Sequence, residues 1–247
     1  AVRALRELPI GGTAVGTGIN THRQFGQRMA GRLSGMTGIE FVEARNHFEA
    51  QAAKDAVCEA GGVIRTIAVS MTKIANDIRW LASGPRCGLG EITLPATQPG
   101  SSIMPGKVNP VMCEMLIQTC AQVIGNDTAL TLACRDSILE LNMMMPLIAH
   151  NLLESIRLLT NAVEIFTSRC VMGIQANNTR CEHMIEQSLA MCTALAPTIG
   201  YDAAAAIAKE AYTTGLSVRE VALARNVLPE DQLTRILDPS AMTEPNK

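Results

Sequence analysis

The chain has 247 residues, a formal net charge of −2, 47% hydrophobic and only 3% aromatic residues. A balance so close to neutral excludes binding to nucleic acid or an anionic membrane through a basic face, and the high apolar share excludes a disordered chain. With 4 Phe, 2 Tyr and 1 Trp the core must be built from Leu, Ile, Val, Ala and 13 Met, a composition that suits packed helices better than a β-sandwich.

In chain order, Val2, Leu5 and Leu8 read as the last turns of a helix whose beginning lies outside the chain. A glycine-rich segment, Gly11 to Gly18, follows. Thr21 and Gln24 then have the spacing of a capping box that opens a short helix to about Gly35. The longest periodic stretch runs from Asn46 to Ser83. Its apolar positions Val57, Ala60, Ile64, Ile67, Met71, Ile74, Ile78 and Leu81 alternate in steps of three and four, a heptad seam that predicts a long helix packed at a shallow angle. Gly61-Gly62 interrupts its propensity and marks a bend or a close crossing, and Ser83-Gly84-Pro85 ends it.

Residues 84–107 then form a long loop with five glycines and four prolines; a loop of that length is usually functional or mobile. Asn109 as N-cap and Pro110 at the first helical position predict the start of a third helix through Met112, Leu116, Val123 and Leu130. Asn126 and Asp127 break its apolar stripe, which implies a polar contact inside the bundle or a bend. Another seam joins Ala149, Leu152, Ile156, Leu159, Val163, Phe166 and Cys170. After Gly173 the pattern changes to short helices, with capping boxes at Thr179/Glu182 and Ser217/Glu220 and a start at Pro229. The expected organisation is therefore all-α: a long-helix bundle over 1–173 that carries a catalytic loop at 84–108, and a small helical domain over 174–247.

The eight cysteines, at 58, 87, 113, 120, 134, 170, 181 and 192, form no CxxC pair and keep no metal-ligand spacing with histidine, so reduced thiols packed as small hydrophobes are expected. No charged-then-apolar leader opens the chain, and no uncharged run approaches the roughly 18 residues of a membrane span, which predicts a cytoplasmic protein.

The chemistry concentrates at residues 100–110, Gly-Ser-Ser-Ile-Met-Pro-Gly-Lys-Val-Asn-Pro. Two hydroxyls, a cation and an amide are delivered to a helix N-terminus, whose free N–H groups and dipole hold anions such as carboxylates. The plainer alternative is a solvated loop in which Asn109 only caps. Gly100 to Pro110 matches without a gap the signature GSSxMPxKxNP of the fumarase/aspartase superfamily. Residues 8–22, LPIGGTAVGTGINTH, resemble the LALGGTAVGTGLNTH of class II fumarases, and residues 74–88, IANDIRWLASGPRCG, resemble their IANDVRWLASGPRCG. The similarity continues through Glu140-Leu141-Asn142 to Ile199-Gly200-Tyr201-Asp202.

That resemblance implies reversible hydration of fumarate to (S)-malate by anti addition, without metal or cofactor. It assigns Ser101 as catalytic base, Ser102, Lys107, Val108 and Asn109 to the substrate carboxylate, and Glu114 to polarising an active-site histidine. It implies a homotetramer whose sites are shared between subunits. Gly106 and the Arg79-Trp80 segment favour fumarase over an aspartate ammonia-lyase or another fumarate-releasing lyase. Two further family segments, one containing SSN and one resembling GRTHLQDA, are not in the sequence, and His22, His47, His150 and His183 match neither. The chain thus resembles the C-terminal half of such an enzyme, lacking the upstream half or a partner chain, and is expected to be inactive alone. A non-catalytic helical scaffold is the remaining alternative; it would need none of Ser101, Ser102, Lys107 and Asn109.

Overall fold

Aliphatic residues at heptad spacing, with few aromatic ones, produce long helices that pack side by side. The computed structural model describes residues 1–84 and 86–244; Pro85, expected to help end the long helix, lies outside them. The elements are α1 (Val2–Leu5), β1 (Glu7–Leu8), α2 (Phe25–Thr37), β2 (Val42–Glu43), α3 (His47–Ala52), α4 (Asp55–Leu81), β3 (Ile92–Thr93), α5 (Val111–Arg135), α6 (Met145–Arg169), β4 (Gln175–Ala176), α7 (Asn178–Gln187), α8 (Ala196–Ile199), α9 (Tyr201–Thr214), α10 (Val218–Ala224) and α11 (Glu230–Ile236). The only sheets among the described residues are two-stranded, β1 parallel to β2 and β3 antiparallel to β4. The all-α class expected from composition is the one observed. No described helix is long and apolar enough to cross a membrane.

The chain divides into two compact units, residues 1–83 with 94–174, and residues 84–93 with 175–247. In the first unit α4, α5 and α6 share a core of Ala68, Ala75, Cys113, Leu116, Cys120, Val123, Leu159, Ala162, Phe166 and Cys170. Helices α4 and α5 run antiparallel in a heptad register. Positions 58, 65, 72 and 79 face 134, 127, 120 and 113: Arg65 donates to Asp127 Oδ2 at 2.8 Å, and Cys58, Thr72 and Arg79 act on the thiols of Cys134, Cys120 and Cys113. Gly61 is the close crossing, since a Cβ there would lie 2.8 Å from Asp127 Oδ1 and 3.0 Å from Leu130 Cδ2. The helix runs through Gly61-Gly62 unbroken.

Several sequence expectations need correction. The stretch from Asn46 is two helices. Asn46 caps α3 by accepting from the N–H groups of Phe48 and Glu49, and the chain turns extended at Ala53. The Lys54 ammonium donates to the carbonyls of Gln51 (2.7 Å) and Ala50 (3.5 Å), closing α3 before α4 begins. On α4, Ala68 and Ala75 are buried while Ile67 and Ile74 are exposed, because α5 approaches over the small residues and leaves the isoleucines at the edge. On α6 the buried line is Ile148, Asn151, Ser155, Leu159, Ala162 and Phe166; Ala149 and Ile156 of the expected seam are exposed.

That shift has a polar cause. Asn126 Nδ2 donates to Ser155 Oγ (3.2 Å), Ser155 Oγ donates to the Asn151 carbonyl (2.7 Å), and Gln122 Nε2 donates to Asn126 Oδ1 (2.8 Å). Asn126 is thus the polar contact inside the bundle. Asn142, also buried, donates to the Ala133 carbonyl (3.2 Å) and accepts from Met144 N–H (2.8 Å), joining the end of α5 to the start of α6.

Capping was read correctly at Ser217/Glu220, where both reciprocal hydrogen bonds form, and α11 begins directly after Pro229. It was misplaced elsewhere. No side chain caps α2, which begins at Phe25 and runs to Thr37 with left-handed Gly38 as its C-cap. The cap of α7 is Asn177, accepting from Arg180 N–H, and Thr179 lies inside the helix. Leu8 belongs to β1, since α1 is a single turn.

The second unit has its own core of Met191, Leu195, Ala204, Ile207, Ala211, Val218, Val221, Ala222, Leu233 and Leu237. Its early segment, 84–93, is not patternless. Arg180 donates through Nε to the Leu89 carbonyl and through Nη2 to that of Gly88, both at 2.9 Å, and Asn177 Nδ2 donates to the Gly90 carbonyl at 3.0 Å. The only regular element that interrupts the long loop of the sequence reading, among the described residues, is β3 (Ile92–Thr93), and the segment before it is held by these side-chain hydrogen bonds.

Candidate functional site

Segment 94–110 lies in the first unit and is fixed at three points. At its start Pro95 packs on Gly173, where a Cβ would collide with the proline ring. At its middle the backbone of Gly100 lies against the carbonyl of Lys107 so closely that any Cβ at 100 would land on that oxygen. Residues 100–107 therefore form a closed loop, with Gly100 and the Lys107 backbone meeting at its neck. At its end α5 begins at Val111.

Within the loop, Ser101 Oγ accepts from Ile103 N–H (3.2 Å) and Lys107 N–H donates to the Met104 carbonyl (3.2 Å). Gly106 has φ +80, a conformation that side chains disfavour. The tip is exposed, Ile103 at 86% and Val108 at 54%, and Ser102 and Lys107 are exposed too; Ser101 is half-buried. No ion pair to Lys107 forms among the described residues. Its ammonium faces solvent, free to meet a ligand.

Asn109 does not cap α5, contrary to the sequence expectation. The N-cap position is Pro110, with φ −79 and ψ 56, and no side chain accepts from the first turn. The extra residue arises because Pro110 adopts a non-helical ψ, so the helix starts one residue late. Glu114 N–H is the first to bond within the helix, to the Pro110 carbonyl (3.1 Å), which leaves the amides of Val111, Met112 and Cys113 without intrahelical acceptors. The Asn109 amide is correspondingly not consumed by capping.

Beside this helix end lies a small, shallow cleft of about 10 Å³, room for about one water, walled by Leu94, Pro95, Thr97, Asn109, Met112, Arg169 and Cys170. The free N–H groups and dipole of α5, the Thr97 hydroxyl, the Asn109 amide and the Arg169 guanidinium give it anion-binding chemistry. Arg169 was not singled out in the sequence. It ends α6, and only the antiparallel pairing of α5 with α6 brings that end to the start of α5. The signal for it was the seam at Phe166 and Cys170, which fixes where α6 stops. Arg79, from the last turn of α4, adds a further positive charge close to Cys113.

The cleft is lined by Asn109 but not by Ser101, Ser102, Lys107, Val108 or Glu114. Glu114 is half-buried in the first turn of α5. Beneath the turn Cys113 and Cys170 are fully buried; burial, reinforced by Cys170, pushes the Cys113 thiol up to about 12. Those thiols are packing groups. No cluster of His, Cys, Asp and Glu suited to a metal ion occurs among the described residues.

Comparison with known proteins shows the family and the fold. A family model described as "Lyase" matches residues 1–125, and one described as "Fumarase C C-terminus" matches residues 191–244. The class II fumarate hydratase of Nitrosomonas europaea is 49% identical over 99% of this chain and 53% of its own length. That of Mesorhizobium japonicum is 51% identical over 98% and 52%. A fumarate lyase:delta crystallin structure from Brucella melitensis superposes with a TM-score of 0.93 at 49% identity, covering 99% of this chain and 53% of that one. The class II fumarase of Schistosoma mansoni also superposes with a TM-score of 0.93, at 37% identity over 100% and 55%. The chain spans about half the length of the curated relatives it matches.

Proposed function

Because this chain belongs to the fumarase/aspartase superfamily, in its class II fumarase branch, we propose that it is the portion of a fumarate hydratase that carries the substrate-carboxylate loop and the proton-abstracting base. The observation that supports this reading is the closed 100–107 loop, pinched where Gly100 meets the Lys107 carbonyl, which lies just ahead of an uncapped helix N-terminus.

In the dehydration direction a proton leaves the carbon next to a carboxylate, and charge accumulates on that carboxylate as a dianionic aci form. Stabilising it requires donors and cations already in place. Lys107 supplies the full charge, and the Ser102 hydroxyl, the Val108 backbone and the Asn109 amide supply hydrogen bonds. Ser101, as its alkoxide, takes the proton and is left as the neutral hydroxyl. A serine is far too weakly acidic to supply that alkoxide unaided, so it depends on donors and positive charge gathered around it and on exclusion of water as the exposed tip, Ile103-Met104, closes over substrate. Glu114 orients and polarises a histidine supplied from outside this chain, which handles the departing hydroxyl.

The site is completed by an upstream segment or by other copies, in the homotetrameric arrangement that the resemblance implies. The exposed apolar residues on the long helices, Val63, Val69 and Trp80 on α4 and Leu153 and Ile156 on α6, support burial against further helices. The reading is tested by joining this chain to the upstream half of the Nitrosomonas europaea relative and following fumarate by its ultraviolet absorbance. Malate dehydration is expected from the joined enzyme, with Lys107→Ala raising KM by roughly 10–100-fold, the value of a charge-assisted hydrogen bond. Ammonia release from aspartate in place of malate dehydration overturns it.

A further inference from the structure

Eight cysteines are free, and two pairs of them act on each other across helices: Cys113 with Cys170, and Cys58 with Cys134. The pairs differ in setting. Cys113 and Cys170 are 0% and 2% exposed at the bottom of the three-helix core. Cys58 and Cys134 are each half-buried, in the first turn of α4 and the last turn of α5. They stand on facing rungs of the heptad register that pairs Arg65 with Asp127 and Thr72 with Cys120. One turn along α4 from Cys58, Gly61 brings the α4 backbone against Leu130, so the helices are close here. The neighbourhood is already tied together, since Ser137 Oγ, just past α5, donates to the Ala52 carbonyl at 2.7 Å.

We propose that Cys58 and Cys134 form a reversible dithiol site, oxidised by a peroxide to a disulfide that fastens the start of α4 to the end of α5. The roles of the two thiols follow from their ends of the helices. Cys58 lies where the α4 dipole favours negative charge, and Cys134 where the α5 dipole opposes it. Burial and the Cys58 thiol push Cys134 up to about 11, so Cys134 keeps its proton until the second step; Lys54 and Asp55 are the charged groups beside the pair.

The Cys58 thiolate attacks one peroxide oxygen and the O–O bond breaks, giving a sulfenic acid and, after proton uptake, water. Cys134 sulfur then attacks the sulfenic sulfur as its proton is lost, the S–O bond breaks, and a second water leaves. In sum two thiols and one hydrogen peroxide give one disulfide and two waters. The buried pair interacts in the same way but offers the oxidant no access, so it stays reduced.

The test treats the intact 247-residue chain with hydrogen peroxide, blocks remaining thiols with iodoacetamide in denaturant, and maps peptides without reduction. A Cys58–Cys134 link is expected in at least about tenfold excess over any other, removed by dithiothreitol. In Cys134→Ser, dimedone is expected to trap sulfenic acid at Cys58; in Cys58→Ser none is expected at Cys134. A dominant Cys113–Cys170 link, oxidation confined to the exposed Cys87, or sulfinic acid at Cys58 without a link overturns the proposal. Should either variant fail to fold, the map of the unmodified chain decides.

Discussion

Two adjacent glycines on α4 give a sharp test of the helix register. A methyl group at Gly62 would find only Arg65 Nη2, at 3.7 Å, an ordinary contact. Gly62→Ala then gains helix propensity alone, about 1 kcal/mol. At Gly61 the same methyl would lie 2.8 Å from Asp127 Oδ1 and 3.0 Å from Leu130 Cδ2. Neither neighbour can yield cheaply: Leu130 is 1% exposed, and Asp127, at 5%, is held by Arg65. Overpacking of this kind costs about 1–3 kcal/mol, which outweighs the propensity gain. Gly61→Ala should therefore destabilise by about 1 kcal/mol while its neighbour stabilises by a similar amount. At this chain length the two thermal midpoints should differ by about 4–8 °C. Differential scanning calorimetry or urea titration measures both. Equal stabilisation by the two variants refutes the close crossing, and so would a Gly61→Ala penalty that persists undiminished in a Leu130→Ala background.

Ser155→Ala removes the acceptor of Asn126 Nδ2 in the core, and an unsatisfied buried donor costs about 1–3 kcal/mol; a urea midpoint unchanged from the parent contradicts the network. The raised thiols make stability fall in alkali. An unfolded cysteine ionises near 9.0, whereas Cys113 holds its proton to about 12 and Cys134 to about 11. The folded state thus binds more protons above pH 9, and its stability is complete below that pH and declines as pH rises towards 11, by up to about 1.4 kcal/mol per pH unit for each thiol. Urea titrations between pH 8 and 10.5 check this, and Cys113→Ala should flatten the slope. The 247-residue chain by itself should show no malate dehydration, because the acid–base partner for the hydroxyl group is not among its residues; turnover by the purified chain refutes that.

The helical class and the long elements could be read from the spacing of aliphatic residues, because that spacing is a local property. The exact burial line could not. Asn151 and Ser155 look like solvent residues, yet Ser155 meets Asn126 of another helix and Asn151 turns its amide back onto the Leu147 carbonyl of its own, so both lie inside; the apolar seam through Ala149 and Ile156 is therefore one residue off. Asn109 had the right chemistry for a cap, yet Pro110 ψ moved the helix start, and nothing in the local sequence fixes that angle. In the site, the 100–110 motif was legible as a string, and Gly100 makes sense of it physically as the residue that lets the Lys107 carbonyl close the loop. Arg169 and Thr97 were not legible, since they reach the head of α5 only through the pairing of α6 with α5 and the anchoring of Pro95 on Gly173.

The central claim is that Ser101, as its alkoxide, removes the proton beside a carboxylate bound at the head of α5. Its most direct test is Ser101→Ala in the joined enzyme, with turnover and fumarate affinity measured together. The account predicts a fall in kcat of about 10²–10⁴-fold, the usual contribution of a positioned general base, with fumarate still bound. A variant that turns over malate at the parental rate contradicts it.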